Sequence, residues 1–144
     1  STPGQDTLEN VHIEATAKNT GGGSDTGFGL VCDRQVTDQF YYFVVTSKGD
    51  YAIAKTAVAQ EDLFLTNDDT LGTSEDIPVN APSYRLGADC ASDGTLTLYV
   101  NGKKIDSVQD TTYTKGDVGM FTWTSHDTKA EVHFDDLVVT SLKK

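Results

Sequence analysis

SYRLGADCASDGTLTLYVNGKKIDSV, residues Ser83 to Val108, is the stretch whose reading decides the fold class. Tyr84, Leu86, Ala88 and Cys90 alternate with Arg85, Gly87 and Asp89, and Leu96, Leu98 and Val100 alternate with Thr95, Thr97 and Tyr99. A period of two places one set on each face of a half-buried strand. Ser92-Asp93-Gly94 separates the two runs, and Asn101-Gly102 ends the second with the dipeptide that best tolerates the two positive φ values of a type I′ turn. Lys103 to Val108 reads as the returning strand, so one segment supplies three antiparallel strands.

The same signals extend in both directions. Ser1 to Leu8 contains Pro3 and Gly4 without a pattern and reads as a linker, leaving residues 9–144 as a single domain. Val11, Ile13, Ala15 and Ala17 alternate with polar residues and predict a strand. Asn19 to Thr26 is a glycine-rich loop without the spacing of a phosphate-binding loop. Phe28, Leu30 and Cys32 predict a second strand, Asp33 to Gln39 a polar connection, and Phe40 to Thr46 a third strand that is bulky on both faces and therefore covered on both. Ser47 to Asp50 reads as a hairpin turn into Tyr51 to Lys55. Val58 to Leu65 suits a short helix or an irregular strand, Asn67 to Asp76 an acidic loop, and Ile77 to Val79, close to Pro82, an edge strand. Asp117 to Thr124 and Glu131 to Leu142 supply the last two strands. About ten short strands and hardly any helix predict an all-β, antiparallel sandwich.

Composition narrows the function classes. The 144 residues carry 22 acidic against 11 basic side chains, a formal charge of -11, which repels phosphate backbones and anionic lipid surfaces. Nucleic acid is excluded as a natural partner, and no apolar run approaches the roughly 20 residues of a membrane-inserting helix. Cys32 and Cys90 both fall at strand ends on the apolar phase, which suits either two buried thiols or a disulfide. The acidic, Thr/Ser/Gly-rich composition favours a disulfide and an extracellular or cell-surface location. Closing that loop would stabilise the fold by about 4 kcal/mol in the chain-entropy account.

Gly27 to Cys32, Phe40 to Phe43, Gly49 to Lys55, Arg85-Leu86 through Cys90, Leu96 to Gly102, Gly116 to Gly119 and Phe134 to Leu137 follow one another in an order that resembles the concanavalin A-like lectin/glucanase superfamily. Within it the resemblance is to laminin-G-like and 3-keto-disaccharide-hydrolase-like jelly rolls of bacterial surface or secreted proteins, over residues 9–142. It implies a jelly roll that binds glycans, acts on them or serves as a spacer. The Glu-x-Asp-x-x-Glu strand of the related glucanases has no match here, and only ten residues precede the Val11 strand where such domains carry a further one.

Paired carboxylates across a sugar are what a glycosidase requires, and Asp68-Asp69 and Asp135-Asp136 are adjacent residues that point to opposite faces of a strand. Asp135 and Asp136 instead suit a bulge or turn cap, or ligation of a structural Ca2+. The three histidines form no triad with a nucleophile elbow. Sugar binding needs an aromatic ring against the C–H face of a pyranose and planar polar groups for its hydroxyls. Trp123, Tyr41, Tyr51, Arg34, His126 and Asp127 are of those types, although Tyr41, like Tyr99, also suits cross-strand packing. The expected function is thus a non-catalytic module that binds a poly- or oligosaccharide. The alternatives are a structural subunit that joins neighbouring copies through an open sheet edge beside Glu131 to Leu142 and, third, a glycoside-active enzyme.

Overall fold

The computed structural model describes residues 8–21, 23–35, 38–123 and 131–142. Its strands are β1 Val11–Asn19, β2 Gly27–Arg34, β3 Tyr41–Thr46, β4 Asp50–Lys55, β5 Leu63–Phe64, β6 Gly72–Thr73, β7 Tyr84–Cys90, β8 Thr95–Val100, β9 Lys103–Gln109, β10 Asp117–Trp123 and β11 Val132–Ser141. They form two antiparallel sheets, a five-stranded one in the order β11-β1-β7-β8-β9 and a six-stranded one in the order β10-β2-β3-β4-β5, with β6 also on β4. No helix occurs among the described residues.

The alternation in the sequence explains the sandwich. Ile13, Ala15, Leu86, Ala88, Leu96 and Leu98 point inward from the five-stranded sheet and meet Phe28, Leu30, Phe43 and Ile53 from the other in one buried cluster. Each large apolar side chain buried there contributes about 1.5–3 kcal/mol. Cys32 on β2 and Cys90 on β7 are bonded, with Cα atoms 6.6 Å apart, so the disulfide ties one sheet to the other through the core. Asn101 and Gly102 have φ of 52° and 82°, the two left-handed residues of the hairpin that joins β8 to β9.

Val58 to Leu65 takes the irregular-strand alternative and not the helix: Leu63 and Phe64 pair with Lys55 and Ala54 of β4, and the Leu65 amide donates to the Ile53 carbonyl. Two other expectations are corrected. Ile77 to Val79 is not an edge strand. Pro78 supplies only an acceptor, its carbonyl takes the Tyr84 hydroxyl at 2.6 Å, and Ile77 turns in to plug the core. Asp33 does not begin a loop, since β2 continues through Arg34, with Asp33 at φ 52° beside a register shift against β10. In addition, Leu8 at the end of the expected linker packs against the core, and its carbonyl accepts the Gly116 amide.

Candidate functional site

The solvent side of a sheet in a sandwich is ordinarily polar. On the six-stranded sheet it is not. Val31, Tyr42, Val44, Ala52 and Ala54 face away from the main core, yet they are buried as a second apolar cluster, with Phe40, Phe64, Phe121 and Trp123 partly exposed on top. Small residues make room for the rings. A Cβ at Gly27 would run into the Trp123 indole, so any larger residue there would displace the ring from where β10 crosses β2. Gly29, opposite Phe121 in the register, serves another neighbour: a Cβ there would run into the Phe43 carbonyl of β3.

Phe121 stacks on Tyr42 with ring centroids 4.4 Å apart and planes 16° apart. Trp123 meets both edge-on and lies at 21° to the Phe64 ring, 6.2 Å between centroids. β10 and β5 end the chain of paired strands in this sheet, and four strand spacings would put them about 19 Å apart in a flat sheet. That their side chains meet shows the sheet curling around this face. The rings make a partly exposed aromatic surface held by mutual stacking, each such pair contributing about 1 kcal/mol beyond its area.

Polar groups border it. A cavity of about 270 Å³ beside Phe121 and Phe40 is lined by Asp38, Thr56, Gln60 and Asp62. The Asp62 carboxylate accepts the Tyr42 hydroxyl at 2.8 Å, and burial, with Asp62 as acceptor, pushes the Tyr42 phenol well above its ordinary range. On the other flank, the Arg34 guanidinium lies over Gly119, its Nη1 3.6 Å from where a Cβ would stand. Among the described residues no ion pair includes Arg34.

Of the residues singled out in the sequence, Trp123 and Arg34 come to this face. Tyr41 points into the core, fully buried, with its hydroxyl on Asp110. It therefore offers no ring face to a ligand. Tyr51 also points inward and donates to Asp106 at 2.8 Å. His126 and Asp127 lie outside the described residues. Asp135 and Asp136 are exposed on β11, Asp136 at φ 59° in the bulge opposite Glu14 and Thr16. Among the described residues no group of three or more His, Cys, Asp or Glu could hold a metal ion. The Arg85 Nη1 lies 3.5 Å from the Asp136 carbonyl, an oxygen that a calcium ion at this bulge would want. Phe121, Phe64, Phe40, Gln60 and Asp62 were not read from the sequence as site residues. Phe121 could have been found, because it shares the phase of Trp123, whereas Phe64 and Asp62 come from an irregular segment with no periodic signal.

No protein-family model and no curated protein sequence matches the chain. Solved structures do match in fold. The carbohydrate binding module CBM66 from Bacillus subtilis is similar with a TM-score of 0.67 at 16% identity, over 96% of this chain and 76% of that one. Sheep galectin-11, solved in complex with glycerol, matches at 0.60 and 9% over 94% of this chain and 95% of that one, and Caenorhabditis elegans galectin LEC-6 at 0.61 and 16% over 96% and 87%. The likeness is one of fold: the chain is an antiparallel β-sandwich of the jelly-roll kind.

Proposed function

We propose that this domain is a non-catalytic carbohydrate-binding module of a secreted or cell-surface protein, and that its ligand lies on the aromatic face of the six-stranded sheet. The observation that carries this reading is the inverted polarity of that face. Partly exposed Trp123, Phe121, Phe64 and Phe40 stand where a solvent-facing sheet should be polar, beside a cavity of planar polar groups. A pyranose presents C–H groups on one side and hydroxyls around its rim. Trp123 and Phe64 meet the first, and Arg34, Gln60 and Asp62 the second. The carbohydrate-binding module and galectins of similar fold support the ligand class, and the Cys32–Cys90 disulfide supports the extracellular location. No step of this reading depends on Ca2+. Calorimetric titration with gluco-, galacto- and fructo-oligosaccharides tests it: binding by one of these series that Trp123→Ala weakens is expected, and failure of all three to bind, or binding untouched by Trp123→Ala, would contradict it.

A second reading has its own observation. β11 ends the five-stranded sheet, and Leu137, Val138 and Val139 on it are 38–45% exposed. An edge of this kind is a template for strand addition by a neighbouring copy. Sedimentation at several concentrations separates the two readings, since association through β11 requires a mass that rises with concentration.

A further inference from the structure

We propose that the opposite face of the sandwich carries a second, separate saccharide site, a cleft of about 520 Å³ between β1, β7 and β8 that takes a neutral sugar ring. Its floor is Gly87, which lies in register between Glu14 on β1 and Tyr99 on β8. A Cβ there would stand 3.3 Å from Tyr99 Cβ, 3.4 Å from His12 Cε1 and 3.6 Å from Glu14 Cγ, so any larger side chain would fill the space the glycine leaves. A volume of this size accommodates one or two sugar rings and lies within the ordinary range of small-ligand sites.

The walls are fixed before any ligand arrives. Tyr99 donates its hydroxyl to Asp89 at 2.8 Å, and His12 Nδ1 lies 2.5 Å from the other oxygen of the same carboxylate. His12 Nε2 lies 2.7 Å from Glu14 Oε2, and Arg85 Nε donates to Glu14 Oε1 at 2.9 Å and its Nη1 to Thr16 at 3.0 Å. An imidazole that faces two carboxylates can donate to both only as the imidazolium. Partial burial alone would lower the His12 pKa, but the hydrogen bonds and charges of Glu14 and Asp89 outweigh it and hold it above 6.5. The Glu14 carboxyl is held below its usual range, chiefly by its hydrogen bond to His12.

His12, Arg85 and Glu14 line the cleft, and Asp89 completes the balance through its bonds to His12 and Tyr99, so this network is neutral although the chain as a whole carries -11. The balance decides the ligand class. A hydroxyl both donates and accepts, and the Glu14–Arg85 pair offers an acceptor beside a donor on one rigid unit. The Asn101 side-chain carbonyl, also in the lining, is taken by the Arg85 backbone amide at 2.9 Å, which fixes that side chain in the wall. The Tyr99 ring supplies the apolar wall. An anionic sugar would face the Glu14 carboxylate with no unpaired cation in the cleft to answer it.

Labelled protein titrated with neutral gluco-, galacto- and fructo-oligosaccharides, and with oligogalacturonate, tests the proposal by amide chemical shifts. One neutral series should move Gly87, Tyr99 and Gly102 as a group. Glu14→Gln and Tyr99→Ala should each weaken that group at least tenfold with melting temperatures checked, and Trp123→Ala should leave it unchanged. No response at Trp123 while these amides still move would thus count against the first site and spare this one. No movement of these amides, unchanged affinity in both well-folded variants, or tighter binding of oligogalacturonate than of any neutral series would overturn it.

Discussion

The two sheets are alike where they face each other and opposite where they face out. Outward from the five-stranded sheet, His12, Glu14, Arg85, Asp89 and Tyr99 form a hydrogen-bonded polar network in which each charge has a partner. Outward from the six-stranded sheet, Tyr42, Phe121, Trp123 and Phe64 form a stacked aromatic layer over alanines and glycines. The core requires only that every second residue be apolar. What the other residues do is free, and in this molecule one sheet uses them for packing and the other for charge.

The largest expected consequence of that difference is in stability. Tyr42 faces outward but is fully buried, so Tyr42→Ala should cost about 3–5 kcal/mol in urea denaturation. Tyr99 faces outward on the other sheet and is only half-buried, and Tyr99→Ala should cost no more than about 1 kcal/mol. Equal costs would erase the distinction between a packed face and a wet one.

Asp33 sharpens it. At the end of β2 in the six-stranded sheet its carboxyl is 2% exposed with neither oxygen hydrogen-bonded, and burial pushes its pKa up to about 7. A folded-state pKa above the ordinary 3.8 means that the folded protein holds a proton the unfolded chain has released. Stability from this group is complete below about pH 4 and is lost as the pH rises through about 7. Asp33→Asn should therefore be the more stable protein by about 4 kcal/mol at pH 8 and equal to wild type near pH 4. Thermal melts at the two pH values check this, and the same difference at both would show that the charge is not the cause.

Gly102→Val tests the turn on the other sheet. Nothing lies within 4 Å of a Cβ at that position, so the only penalty is a β-branched residue at φ 82°. A loss of about 1–3 kcal/mol is expected from the denaturation midpoint. No loss would mean that the turn relaxes to another type.

Much of this contrast was legible in the sequence. Val11 to Ala17 alternates strictly, and its outer residues are polar in the structure, whereas Tyr41 to Val45 loses alternation and is buried on both faces. The apolar phases of the two cysteines suited thiols or a disulfide alike, and the acidic, Thr/Ser/Gly-rich composition favoured the bond that is found. The site was half legible. Trp123 stood out as the sole tryptophan, but Tyr41 and Tyr51 are of the same chemical type and point inward, and period alone does not separate a ring that stacks on a sugar from one that fills a core. Phe64 reaches Trp123 only because the sheet curls, which no local pattern encodes. His12 and Glu14 read as two exposed polar residues because their partners, Asp89 and Arg85, lie more than seventy positions away.

The smallest effect belongs to that network. The His12 pKa is raised in the folded protein, so its stabilising contribution is present below about pH 6.5 and fades as the pH rises through the higher folded-state value. The group is partly exposed and its partners are screened by solvent, so His12→Ala should cost only about 0.5 kcal/mol at pH 5 and close to nothing at pH 9. A cost that grows with pH in urea denaturation would contradict the imidazolium bridge.

The aromatic face is the centre of the account, and the sole tryptophan of the chain reports on it directly. Titrating nitrogen-15 labelled protein with the neutral oligosaccharide panel while following the Trp123 Nε1–H resonance should give a saturable shift for one series, with Phe64, Gln60 and Phe121 amides moving alongside. A Trp123 resonance that stays in place up to millimolar saccharide, while the protein remains folded, would contradict it.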